Sequence, residues 1–183
     1  MPLTLNTLKM FKRGNVFVET GTLHGDGISK ALAAGFRKIY SIDIDPGMVE
    51  PAKKLFAKNP EVEIILGDTK RVMGDVLSKI NEQCTFWLDA HWDMGPVCGE
   101  VICPLYDELN FIKNHPIKNH LILIDDMRIV GNGHHHWGKT VQKDSIVAMI
   151  KQINSGYSIA YTDGDLGPSG GGLVGSDIMA AFV

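Results

Sequence analysis

Cysteine is scarce, with three in 183 residues (Cys84, Cys98 and Cys103). So small and odd a number excludes a disulfide framework and suits a reducing compartment. A basic surplus is missing as well. Eighteen Lys and Arg against 21 Asp and Glu give a formal charge of −3 with the seven histidines neutral. That balance argues against a phosphate-driven grip on nucleic acid. No apolar run approaches the roughly 20 residues that span a bilayer. The opening Met-Pro-Leu-Thr-Leu-Asn lacks the basic-then-apolar build of a secretory signal. These absences lead to the expectation of a soluble, cytoplasmic protein with neither a nucleic-acid nor a membrane partner. What remains is a globular composition, 44% hydrophobic and 21% charged, without repeat or linker, so residues 1–183 are read as one domain.

Short β-branched or apolar runs alternate with longer stretches of helical spacing. Strands are expected over residues 15–19, 38–43, 62–66, 85–89 and 121–125. Helices are expected over 28–35, from 46 to about 57, around 70–81, near 105–113 and near 145–154. Two last strands, 157–162 and 177–183, have no helix between them and read as a hairpin. The βαβ repetition predicts an α/β fold: a Rossmann-like, doubly wound, mostly parallel seven-stranded sheet with one antiparallel strand near the C-terminus.

In such a sheet ligands sit beyond the C-terminal ends of the strands. After the first strand comes Glu19-Thr-Gly-Thr-Leu-His-Gly-Asp-Gly27, whose glycines allow a tight turn and close approach of a ligand. The spacing is G-x-x-x-G-x-G, and Glu19 precedes the first glycine by two. A carboxylate there repels a pyrophosphate and attracts the ammonium of an amino acid, which favours S-adenosylmethionine over NAD. The second strand ends in Asp43-Ile-Asp45. Asp43 is placed to accept from both ribose hydroxyls, while Asp45, before Pro46, reads as a helix N-cap. The third strand ends in Gly67-Asp68-Thr69, short polar residues suited to the adenine amine. Candidate cofactor residues are therefore Glu19, Gly21, Thr22, Gly25, Asp43, Ile44, Asp68, Thr69 and Asp89.

The fourth strand delivers Asp89-Ala-His-Trp-Asp93 and the fifth Asp125-Asp126. Adjacent strand ends lie about 5 Å apart, so these carboxylates converge and need a cation between them. An oxygen-rich set suits Mg²⁺, Mn²⁺ or Ca²⁺ better than zinc. Trp92 and Trp137 are plausible stacking surfaces for a sugar ring, and Trp87, inside a strand, belongs to the core. Cys98 and Cys103 read as free thiols on a loop at the mouth of the site. His134, His135 and His136 read as a solvated loop, with metal binding or an acceptor pocket as the alternatives.

The glycine turn, the acidic end of the second strand and the Gly-Asp of the third resemble class I S-adenosylmethionine-dependent methyltransferases, from about Phe17 to Asp126. The Asp89-Ala-His-Trp and Asp125-Asp126 pattern is similar to the metal-dependent O-methyltransferases of the catechol and macrolide-sugar types. The resemblance implies Asp89, Asp125 and Asp126 as ligands of Mg²⁺ or Mn²⁺. It implies His91 as the base, since Asp93 stands where catechol-type enzymes carry a lysine. Only about fourteen residues precede the first strand, too few for the helices that cap the catechol-type site. The expected acceptor is a small molecule or glycan bearing vicinal hydroxyls, a sugar first and a catechol-like aromatic second. An NAD-dependent oxidoreductase and a cofactor-binding module without turnover are the competing classes.

Overall fold

The computed structural model describes residues 3–92, 97, 99–132, 137–165 and 172–183. Five strands, β1 (Val16–Thr20), β2 (Lys38–Asp43), β3 (Val62–Leu66), β4 (Cys84–Leu88) and β5 (Leu121–Ile124), pair in parallel. The hairpin β6 (Ser158–Asp165) and β7 (Leu173–Phe182) completes one sheet in the order β3-β2-β1-β4-β5-β7-β6. Because β7 inserts beside β5, it runs antiparallel to both of its neighbours. The sheet class expected from the alternation is the one observed.

The period-two alternation of these strands fills both faces. Val18, Phe86 and Ile122 point to one side, under α4 (Thr69–Ser78), α5 (Leu105–Asn114) and α6 (Lys143–Ile153). Phe17, Trp87 and Leu123 point to the other, against Ile28 and Ala31 of α2 (Asp26–Ala33) and Phe56 beyond α3 (Pro46–Leu55). Trp87 is fully buried, as its strand position implied.

Helix starts follow local chemistry. Asp45 Oδ1 accepts from Gly47 N at 2.7 Å, and Asp68 Oδ1 accepts from Lys70 N at 2.9 Å, so each aspartate satisfies an otherwise unpaired amide of the helix it caps.

Two elements differ from expectation. A short helix α1 (Leu5–Phe11), capped by Thr4, precedes β1. The nearby Lys12 Nζ donates to Gly35 O, and Arg13 N donates to Thr85 Oγ1 at the start of β4. The residues that follow the helix therefore lie at the N-terminal ends of the strands. Strand β7 begins at Leu173, four residues before the expected start, because its first residues pair with Gly164 and Asp165 of β6.

Candidate active site

The turn after β1 is tied down by one carboxylate. Asp43 Oδ2 accepts from Thr22 N (2.8 Å) and Leu23 N (3.0 Å), and its Oδ1 accepts from Asp45 N (2.9 Å). Gly21 has φ +87°, and a Cβ there would lie 2.6 Å from the Asp89 carbonyl oxygen. Only glycine brings the two strand ends this close.

Beyond the turn lies a cavity of about 270 Å³ along the C-terminal strand ends. Gly21, Asp43, Ile44, Asp68, Thr69 and Asp89 line it, and His91, Asp125 and Asp126 stand at one end. Nine of the expected site residues thus share one crevice. Three do not line it. Gly25 packs on the Phe56 ring, the Thr22 hydroxyl is buried 2.6 Å from Ser41 Oγ, and Glu19 lies beneath the turn. Ser41 Oγ donates to Glu19 Oε1 at 2.7 Å, while Oε2 has no hydrogen-bond partner among the described residues. Burial, with Asp89 and Asp43 nearby, pushes the Glu19 carboxyl up to about 8. Glu19 lies outside the cavity lining, where its bond to Ser41 supports the turn from below.

At the acidic end the donors form two overlapping sets, Asp89–His91–Asp126 and Asp125–Asp126–Asp177, each with ligand atoms within 4.8 Å of one another. Asp126 belongs to both. Its backbone takes φ +58°, and its amide donates to Asp125 Oδ1 at 2.7 Å. His91 lies between carboxylates, with Nε2 2.7 Å from Asp126 Oδ2 and Nδ1 3.4 Å from Asp89 Oδ1. Burial and the crowding of like charges raise Asp125 well above the usual carboxylate range, and they raise Asp89 to about 6. Burial also pushes Asp126 upward, but His91 and Arg128 outweigh it and hold that carboxyl low.

Arg128 and Asp177 were not foreseen. Arg128 Nη1 lies 2.5 Å from Asp126 Oδ1 and also pairs with the fully buried Asp177 of β7. A carboxylate 49 residues away on the hairpin leaves no local pattern to find. Trp137 is 4% exposed and stacks on His91, with ring centroids 4.6 Å apart, so it supports the imidazole and is not open to a sugar ring. Trp92 does line the cavity. Cys103 is a free thiol, as is the buried Cys84. Asp93, Cys98 and His134, His135 and His136 lie outside the described residues.

This strand order with this cavity is the Rossmann-like fold of S-adenosylmethionine-dependent methyltransferases. No protein-family model and no curated sequence matches the chain. Solved structures do. One is a provisionally assigned methyltransferase from Streptococcus mutans in complex with S-adenosylhomocysteine, with TM-score 0.62, 10% identity, and coverage of 97% of this chain and 94% of that one. Another is the O-methyltransferase from Bacillus cereus, also in complex with S-adenosylhomocysteine (0.61, 15%, 98% and 78%). A third is the N-methyltransferase NodS from Bradyrhizobium japonicum (0.58, 13%, 97% and 89%). At such identities the likeness concerns the fold; an oxygen and a nitrogen methylase share it, so it does not select the acceptor.

Proposed function

We propose that this protein is an S-adenosylmethionine-dependent O-methyltransferase that uses a divalent metal, Mg²⁺ or Mn²⁺, and acts on a vicinal hydroxyl of a sugar or glycan. The observation that carries this reading is the convergence of Asp89, His91, Asp125 and Asp126 at one end of the glycine-turn cavity. The donor set fits a hard cation. It is rich in carboxylate oxygen, and two of its acids are pushed toward neutrality by burial first and by neighbouring carboxylates second, a cost that a dication would offset.

On this reading Asp43, Ile44, Asp68 and Thr69 cradle the adenosyl portion beside the Gly21 turn. Asp89, Asp125 and Asp126 hold the metal, which when bound acidifies the acceptor hydroxyl. The residues orient the acceptor oxygen in line with the sulfonium methyl and keep it close, which supplies much of the acceleration. His91 takes the hydroxyl proton on a ring nitrogen, provided that one of its two flanking carboxylates turns away. The sugar preference is supported by Asp89-Ala-His-Trp, which resembles the macrolide-sugar type.

The test is transfer of labelled methyl from the cofactor to free sugars, glycans and catechols, with EDTA and then with added Mn²⁺. A labelled sugar product, lost with EDTA and restored by Mn²⁺, is expected. Asp89→Ala and Asp125→Ala are expected to abolish it while S-adenosylhomocysteine still binds. Undiminished turnover under EDTA overturns the metal reading. Calorimetry showing NADH bound in place of S-adenosylhomocysteine overturns the whole reading.

A further inference from the structure

Glu108, in the first turn of α5, is 1% exposed and no cation pairs with it among the described residues. An ionised carboxylate in that position would cost several kcal/mol, so the group is a neutral acid with a proton to donate. Its Oε1 has no hydrogen-bond partner among the described residues. Glu108 borders a second cavity of about 10 Å³, whose walls include Asp89, His91, Cys103 and Asp125. That volume is close to the lower bound for one water, and the walls supply the polar partners a buried water needs. Asp89 is tied to the same region by its backbone, since its amide donates to Thr20 Oγ1 at 3.3 Å and the Thr20 and Thr69 side chains in turn hydrogen-bond Glu108.

We propose that Glu108 is a positioning residue for the acidic end of the site, holding Asp89 in place through Thr20 and through one buried water in the small cavity. The neutral acid donates from Oε1 to this water, and the water donates to the Asp89 carboxylate. Asp89 thereby keeps its oxygens toward Asp126 and does not relax toward the hydroxyls behind it. This rests on the metal-dependent reading above and assigns the support of one of its ligands to a helix outside the cofactor cradle.

The test is Mn²⁺ binding, followed by electron paramagnetic resonance, in the full chain with S-adenosylhomocysteine present. Glu108→Leu removes the donor at similar volume. Its Mn²⁺ affinity is expected to fall about tenfold or more, as for other outer partners of metal ligands. Its thermal midpoint is expected to change little, because Leu fills a similar volume and the Thr20 hydroxyl keeps the Asp89 amide as a partner. S-adenosylhomocysteine affinity should stay unchanged. Glu108→Gln, which still donates, is expected to bind Mn²⁺ nearly as the wild type does. Equal Mn²⁺ affinity in wild type and Glu108→Leu overturns the assignment and leaves the metal reading standing. Loss of cofactor binding and thermal stability together in Glu108→Leu also overturns it, by reducing Glu108 to a packing role. If the wild type itself binds no Mn²⁺, the metal reading fails and takes this inference with it.

Discussion

A carboxylate that accepts from three backbone amides, as Asp43 does from Thr22, Leu23 and Asp45, organises its turn before any ligand arrives. Hydrogen bonds to a charged group contribute about 1.5–3 kcal/mol each. Asp43→Asn is therefore expected to weaken S-adenosylhomocysteine binding about 10- to 100-fold by calorimetry, at about 1.4 kcal/mol per tenfold. Asp45 also lines the cavity, but its side chain bonds Gly47 of its own helix, so Asp45→Asn should cost less than Asp43→Asn. An equal loss in both variants would contradict this division of labour. Glu19 gives a different signature. Its folded pKa is raised to about 8, so the folded chain holds a proton that the unfolded chain has already lost. The stability this confers is present below the ordinary carboxylate range and disappears as pH rises through about 8. Glu19→Gln can keep the Ser41 contact without that titration. Its denaturation midpoint should rise relative to wild type between pH 5 and pH 9, and parallel curves would exclude the effect.

The strand β4 and the approach to β5 begin on a buried pair of imidazoles. Cys84 N donates to His120 Nδ1 at 3.1 Å, which leaves the His120 Nε2–H to donate to His115 Nδ1 at 3.0 Å. His115 Nε2 then donates to Ile80 O at 3.0 Å. The chain of donors works with both rings neutral. Burial, helped by His115 and Lys118, lowers His120 to about 4. As pH falls through 6.5 the unfolded chain takes up a proton that the folded chain refuses, so this stability is present above 6.5 and lost toward 4. Wild type should lose thermal midpoint relative to His120→Asn over that window, and an unchanged difference would show that His120 does not titrate there.

Little of this network could be seen in advance, because Cys84, His115 and His120 look unrelated until β4 and β5 pair. The elements themselves were legible. Runs such as Leu-Ile-Leu-Ile at 121–124, short and rich in β-branched residues, read as strands buried on both faces, and Asp45-Pro46 announces a helix start. The missed α1 is seven residues long and buries only Thr7 and Leu8, too short to show a period. The early start of β7 is set by pairing with β6 across a glycine-rich sequence that otherwise reads as loop. In the site, residues at strand ends were readable because the parallel fold fixes where those ends lie. Arg128, Asp177 and Glu108 were not, since their partners come from other elements.

At the scale of the molecule, two apolar clusters hold helices to both faces of the sheet, while the acids gather at the C-terminal strand ends. Stability is therefore unevenly distributed, and the acidic end opposes the packing beneath it. Burial and mutual repulsion raise Asp89 and Asp125, so ionising them costs folded-state stability as pH climbs past the ordinary carboxylate range. A dication bound only by the folded chain would reverse that cost. At 100 times its dissociation constant it adds about 2.7 kcal/mol, or roughly 5–10 °C in melting temperature for a chain of this size. Because the ion must displace protons from Asp89 and Asp125, the Mn²⁺-induced shift should be larger at pH 7.5 than at pH 5. Asp89→Asn should lose most of the Mn²⁺ shift and retain the shift caused by S-adenosylhomocysteine, whose proposed cradle lies chiefly along β1, β2 and β3. Scanning fluorimetry with each ligand alone, at both pH values, measures all of these. A Mn²⁺ shift that is independent of pH, or that survives in Asp89→Asn, would place the cation away from these carboxylates.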